Sequence, residues 1–274
     1  MSLELSAMSP AAASATPGSE TFVPEDSSVW YGDTATLREF LAAHYPMDEQ
    51  RRRIVNEALA HVDEFYRTRQ AENIAGEDIP VTNSPITPDE SRALLQLCVE
   101  NGVKRSLEIG FSFGMSTTHL LIANHVVGGE IHIAVDPFQL SQFYQGTGLK
   151  NVYNQNLGGR FGWVAGMSNV VLPSLLEKGQ RFDLVFIDGS HLFSDTFIDA
   201  YYAYHLVPVG GLIVFDDKYL GAVRTVMNIL RTNFGCVDYP YHRAADFGVL
   251  VKTEKNRLDW LKFNTEFAPF RVET

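Results

Sequence analysis

Asp188, His191, Asp216 and Asp217 carry the side chains best suited to chemistry in this chain. Asp188 closes the run Phe182-Asp183-Leu184-Val185-Phe186-Ile187 and opens Asp188-Gly189-Ser190-His191, and Asp216-Asp217 follows Gly211-Leu212-Ile213-Val214-Phe215. A lone acid after a strand most often caps the next helix. Asp188 is not needed for that, because Ser190 or Ser194 can cap instead. Two adjacent carboxylates near a third repel one another unless a cation or a base offsets them. An imidazole titrates near neutrality, so His191 can trade a proton there; a lone histidine, by contrast, reads first as a loop or cap residue.

A second stretch that can hold a ligand is residues 105–117, Arg-Ser-Leu-Glu-Ile-Gly-Phe-Ser-Phe-Gly-Met-Ser-Thr. It reads as a buried strand, a turn bounded by Gly110 and Gly114, and the start of a helix. That unit brings backbone close to a nucleotide-like ligand in doubly wound α/β domains. A dinucleotide loop needs glycine where this chain has Ser112. Glu108 places a negative charge before the loop, which suits a cationic ligand better than a pyrophosphate. The run Ile131-His132-Ile133-Ala134-Val135-Asp136 then ends in another acid.

Regular alternation of strands and helices must position these groups. Apolar strand runs fall at 105–109, 131–135, 162–165, 182–188 and 211–215, with helical spacing at 116–126, 169–178, 193–206 and 221–232. Runs near 235–241 and 247–252 pair as a hairpin across the turn-like His242 to Asp246. The expected fold is α/β, a doubly wound and mostly parallel seven-stranded sheet with a terminal antiparallel hairpin and helices on both faces. Thr87-Pro88-Asp89-Glu90 spells a capping box for a helix that delivers the chain to the first strand. Upstream, Leu37, Phe40 and Leu41 form one helical stripe, and Ile54, Ala58, Val62 and Phe65 a second. These read either as two packing helices or as a lid or dimerisation element. Residues 72–86 read as a loop, and residues 1–28 as a disordered tail. The expected layout is tail 1–28, helical extension 29–86 and ligand-binding domain 87–274.

Composition narrows the classes of partner. The chain has 274 residues, 45% of them hydrophobic, and a formal net charge of −11. That charge disfavours nucleic acid and anionic membranes. Two cysteines, Cys98 and Cys236, sit in apolar surroundings and read as core residues. No apolar run approaches a bilayer span, and the N-terminus lacks a secretory signal, so a cytoplasmic protein is expected.

The pattern Glu108-x-Gly110-x-x-x-Gly114 resembles the first motif of the class I S-adenosylmethionine-dependent methyltransferases, which have a Rossmann-like fold. Phe186-Ile187-Asp188-Gly189-Ser190-His191, followed by Pro208-x-Gly210-Gly211-x-Ile213-x-x-Asp216-Asp217, resembles the metal-dependent small-molecule O-methyltransferases, both catechol O-methyltransferase-like and macrolide-sugar types. The resemblance covers roughly residues 87–252. It implies Asp188, Asp216 and Asp217 as Mg²⁺ ligands, hard oxygen donors of the kind that ion prefers. Catechol O-methyltransferase has Asn where this chain has Asp217. His191 is implied as general base, with Asp188 catalytic as well as ligating. Implied S-adenosylmethionine contacts are Glu108, Gly110, Gly114 and Ser116, then Asp136 on the ribose, Met167 and Ser168 near the adenine, and Asp188. Phe111, Phe113 and Phe138 are candidate walls. The expected acceptor is a small hydroxylated molecule, a sugar of a natural product or a phenol, and the expected assembly a homo-oligomer, dimer or higher. A metal-independent methyltransferase acting on O or N, or a non-catalytic S-adenosylmethionine-binding subunit, are the competing readings. Ser112 and Glu108 make an NAD-dependent oxidoreductase a poor fit.

Overall fold

The computed structural model describes residues 33–81, 86–239 and 246–254. The expected tail, the turn from His242 to Ala245 and the last 20 positions fall outside the described residues.

Seven strands form the main sheet, in the spatial order β5-β4-β3-β6-β7-β9-β8. They are β3 (Arg105–Ile109), β4 (Ile131–Val135), β5 (Phe161–Val164), β6 (Leu184–Ile187), β7 (Leu212–Phe215), β8 (Cys236–Asp238) and β9 (Gly248–Lys252). β3 to β7 are parallel, whereas β9 runs antiparallel between β7 and β8. The sequence alternation required this arrangement, because parallel strands buried on both faces read as continuous apolar runs. Placing β9 inside β8 was not readable from the hairpin signal alone.

Two cores sandwich the sheet. Even-numbered strand positions such as Ala134, Phe186 and Val214 pack against α1 (Thr34–His44), α2 (Glu49–Thr68), α3 (Pro88–Glu100), α4 (Met115–Val127) and α5 (Thr147–Asn154). Odd positions such as Leu107, Val185 and Ile213 pack against α6 (Ser168–Glu177), α7 (Phe193–Leu206) and α8 (Gly221–Ile229). This two-residue period fixes which strand-end side chains look toward which helices. Both cysteines are buried, as their surroundings indicated.

The capping box forms as read: Thr87 and Glu90 bond reciprocally, with Pro88 in the first turn. α1 and α2 are the two predicted N-terminal helices. α2 packs on α4, and no residue of either helix lines the cavity described below. Residues 72–86 depart from the expected loop, since β1 (Gln70–Glu72) and β2 (Asp78–Pro80) make a small antiparallel ribbon. Three-residue strands carry too short an alternation to be recognised. α8 ends early, and Leu230–Phe234 continues as a π turn closed by Gly235 in the left-handed conformation. No described helix is long and apolar enough to cross a membrane.

Candidate active site

The carboxyl ends of the parallel strands are stitched together by backbone. Gly110 N–H donates to Val135 O (3.0 Å), Asp188 N–H to Ile109 O (2.9 Å) and Asp216 N–H to Ile187 O (3.0 Å). These bonds extend the ladder one residue past each strand, so that Gly110, Asp188 and Asp216 line up at one edge. Gly110 has φ +93°, and a Cβ there would lie 2.0 Å from the Asp188 carbonyl oxygen. Only glycine allows the loop after β3 to rest on the end of β6.

Asp136 holds that loop from the other side. Its carboxylate accepts from Phe111 N–H (2.9 Å), Ser112 N–H (3.4 Å) and Phe138 N–H (2.6 Å). The sequence suggested a ribose acceptor at this place. The folded chain gives Asp136 a structural task first, leaving few of its lone pairs for a ligand.

A cavity of about 720 Å³ opens over this edge. Of the predicted site residues, it brings together Gly110, Asp136, Met167, Ser168, Asp188, His191, Asp216 and Asp217. Three are not brought to it. Glu108 is fully buried on the α1–α5 face, where Thr117 Oγ1 donates to its Oε2 and His132 Nε2 lies 3.2 Å from the same oxygen. Strand parity turned its side chain down into the core. Gly114 ends the loop as the left-handed cap of α4, and Ser116 lies inside that helix; neither reaches the cavity wall. Among the candidate aromatic walls, Phe111 and Phe138 line the cavity, while Phe113 is core against Phe65 and Tyr144. Lys218 turns away to donate to Phe247 O, and Tyr219 lines the wall in its stead.

One donor atom each from Asp188, His191 and Asp216 lie within 4.8 Å of one another. His191 Nε2 is 3.8 Å from Asp188 Oδ1 and 3.3 Å from Asp217 Oδ2. Asp217 has φ +51° and is not one of those three donors, though its Oδ2 approaches the same imidazole nitrogen. The set of donors brought together is therefore Asp188, His191 and Asp216, with Asp217 next to the imidazole, and not the three carboxylates alone.

Electrostatics make this cluster expensive as it stands. Burial, then the neighbouring Asp216, pushes the Asp188 carboxyl well above its ordinary pKa. Burial likewise pushes Asp216 up to about 7, helped by Glu90 and Asp217 and opposed by its hydrogen bond with Asp188. Both shifts favour a proton shared between the two carboxyls. Asp216 Oδ1 and His191 Nε2 are buried without a hydrogen-bond partner. A divalent cation would replace the shared proton and satisfy both orphaned atoms, so the donor set fits such an ion.

Residues 107–218 match the family model of a methyltransferase domain, a span that runs from β3 through the Asp216-Asp217 pair. Over that span the chain is similar to methyltransferase domains. Solved structures with the same fold include cofactor-bound Rv0187 from MTB, with TM-score 0.53, 19% identity, and coverage of 80% of this chain and 97% of that one. TomG, an O-methyltransferase from Streptomyces achromogenes involved in tomaymycin synthesis and solved with SAM, gives TM-score 0.50, 18% identity and coverage of 78% and 94%. An O-methyltransferase from Bacillus cereus, solved with SAH, gives TM-score 0.50, 17% identity and coverage of 79% and 97%. Among curated proteins none matches the sequence significantly. The fold is therefore the Rossmann-like one expected, with the N-terminal helices added to it. Sequence reasoning missed Glu90, Asn169 and Asp199 in the cavity wall. Glu90 was legible only as a cap, and an acid within a helix gives no sign of which way it faces.

Proposed function

We propose that this methyltransferase domain transfers a methyl group from S-adenosylmethionine to a hydroxyl of a small molecule, beside a bound Mg²⁺. The observation that carries this is the meeting of Asp188, His191 and Asp216 at the rim of the loop set by Gly110. Two of the three similar structures are O-methyltransferases solved with SAM or SAH, which supports the same cofactor and acceptor atom here. Asp188, Asp216 and Asp217 would hold the ion. Bound there, Mg²⁺ would polarise the acceptor hydroxyl and lower its pKa. His191 Nε2 then takes the hydroxyl proton, and Asp217, at 3.3 Å, stabilises the imidazolium. The cavity orients the acceptor for in-line transfer and keeps water from the sulfonium. No Lys or Arg lines the cavity among the described residues, which suits a cationic cofactor.

The test is transfer of radiolabelled methyl from S-adenosylmethionine to a panel of sugars, catechols and amino-sugars, with and without chelator. Transfer that EDTA abolishes and Mg²⁺ restores supports the reading; transfer indifferent to EDTA shows a metal-independent enzyme, and cofactor binding with no transfer to any acceptor shows a non-catalytic subunit. A second assignment of His191 has its own observation, since its Nε2 belongs to the 4.8 Å donor set. As a ligand, its replacement by Asn weakens Mg²⁺ binding; as the base, it leaves Mg²⁺ affinity intact and flattens the pH–rate profile.

A further inference from the structure

Glu90, Tyr219 and Asp246 line the cavity, and neither the ion nor the base accounts for them. Tyr219 is 57% exposed; its hydroxyl bonds the Asp217 carboxylate, and the charges of Asp216 and Asp246 reach the same hydroxyl. Asp246 is exposed, and its backbone carbonyl accepts from Lys218 N–H at 2.9 Å, which ties it to the turn after β7. Glu90 opens α3, and its capping bonds to Thr87 use Oε2 alone. Its charge reaches Asp216, which is 8% exposed and leaves Oδ1 unpartnered on the same cavity. Among the described residues no Lys or Arg lines this cavity. With a divalent ion on Asp188, Asp216 and Asp217, Glu90 and Asp246 still lack a counter-charge. Surplus carboxylates near an exposed aromatic ring attract an alkylammonium, through charge-assisted hydrogen bonds and through the face of the ring.

We propose that the acceptor carries a protonated amine besides the hydroxyl to be methylated, and that Glu90, Asp246 and Tyr219 receive that amine. This deepens the transfer reading above and rests on it. The same wall repels an anionic acceptor, and a neutral acceptor leaves both carboxylates uncompensated.

The experiment is calorimetric titration of the full chain, saturated with S-adenosylhomocysteine and excess Mg²⁺, with two matched sets of probes. One is glucosamine, glucose and glucuronate; the other is 4-(aminomethyl)catechol, 4-methylcatechol and 3,4-dihydroxybenzoate. In at least one set the ammonium member is expected to bind about tenfold more tightly than the neutral one, with the anion weakest, and the preference should shrink as salt is raised. Glu90→Gln combined with Asp246→Asn removes both charges while a glutamine keeps the capping box. That variant is expected to bring the ammonium and neutral members within about threefold of each other, with S-adenosylhomocysteine affinity unchanged. A wild type that binds no ammonium member, or binds it no better than the neutral one, overturns the proposal. So does a tenfold preference that survives in the double variant, since other groups then hold the amine. Failure of the wild type to bind S-adenosylhomocysteine at all would instead overturn the parent reading.

Discussion

Two acid–imidazole clusters stand in the sheet region, one within the strands and one past their carboxyl ends, and in each a histidine Nε2 lies near a carboxylate oxygen. His132 is 3.2 Å from Glu108, and His191 is 3.3 Å from Asp217. The first is sealed: both residues are fully buried, Ser106 Oγ bonds the other ring nitrogen at 2.9 Å, and Thr117 donates to Glu108. The second lies in the loops just past β6 and β7, half-open to the cavity, with its imidazole nitrogen and an Asp216 oxygen unsatisfied. Acid and imidazole therefore do not mark a site by type. What marks it is polar atoms left wanting partners where a ligand can enter. Glu108 Oε1 also lacks a partner, but no part of Glu108 lines the cavity.

The largest effect falls on the joint between the two regions. Gly110→Ala should force apart the β3 loop and the end of β6, costing at least about 3 kcal/mol and abolishing S-adenosylhomocysteine binding. Urea unfolding and calorimetry check this; a stable variant that still binds would show that the 2.0 Å approach relaxes easily.

Replacing each histidine separates the clusters next. His132→Ala should cost about 2–5 kcal/mol, because it opens a cavity in a sealed core and removes one of the two groups beside the Glu108 carboxyl oxygen. His191→Ala should change stability by no more than about 1 kcal/mol while turnover collapses. Equal stability losses would erase the distinction between the clusters.

Mg²⁺ comes third. At a hundredfold excess over its Kd, an ion bound only by the folded chain stabilises it by about 2.7 kcal/mol. Asp188→Ala should abolish that rise in Tm and turnover together, yet leave S-adenosylhomocysteine affinity within a few-fold. A Tm response that survives in Asp188→Ala places the ion elsewhere.

The smallest effect concerns a third imidazole, His119. It is buried in α4 with Nδ1 2.8 Å from Met115 O, and burial lowers its pKa to about 4. The unfolded chain takes a proton near pH 6.5, before the folded chain does. Stability should therefore be lost as pH falls from about 6.5 toward 4. Denaturant titrations at pH 7 and 5 should show this slope, and His119→Gln should reduce it.

Much of this was legible locally. Strand and helix positions follow from apolar periodicity, and a strand end shows itself by the change from apolar to polar residues. That change alone places Asp136, Asp188 and Asp216 at one edge. Glu108 was assigned to the ligand because it precedes the loop, but its strand position points it into the α1–α5 core. Asp136 could not be seen to spend its carboxylate on the backbone of a loop 25 residues earlier.

The sequence by itself determined the α/β alternation, the glycine-bounded turn and which residue types end each strand, because those depend on near neighbours along the chain. Only tertiary structure decided that His191 approaches both Asp188 and Asp217, that its ring nitrogen joins Asp188 and Asp216 in one donor group, and that Asp199 lines the cavity. Each depends on ladder register and helix rotation, which are set by contacts between segments far apart in sequence.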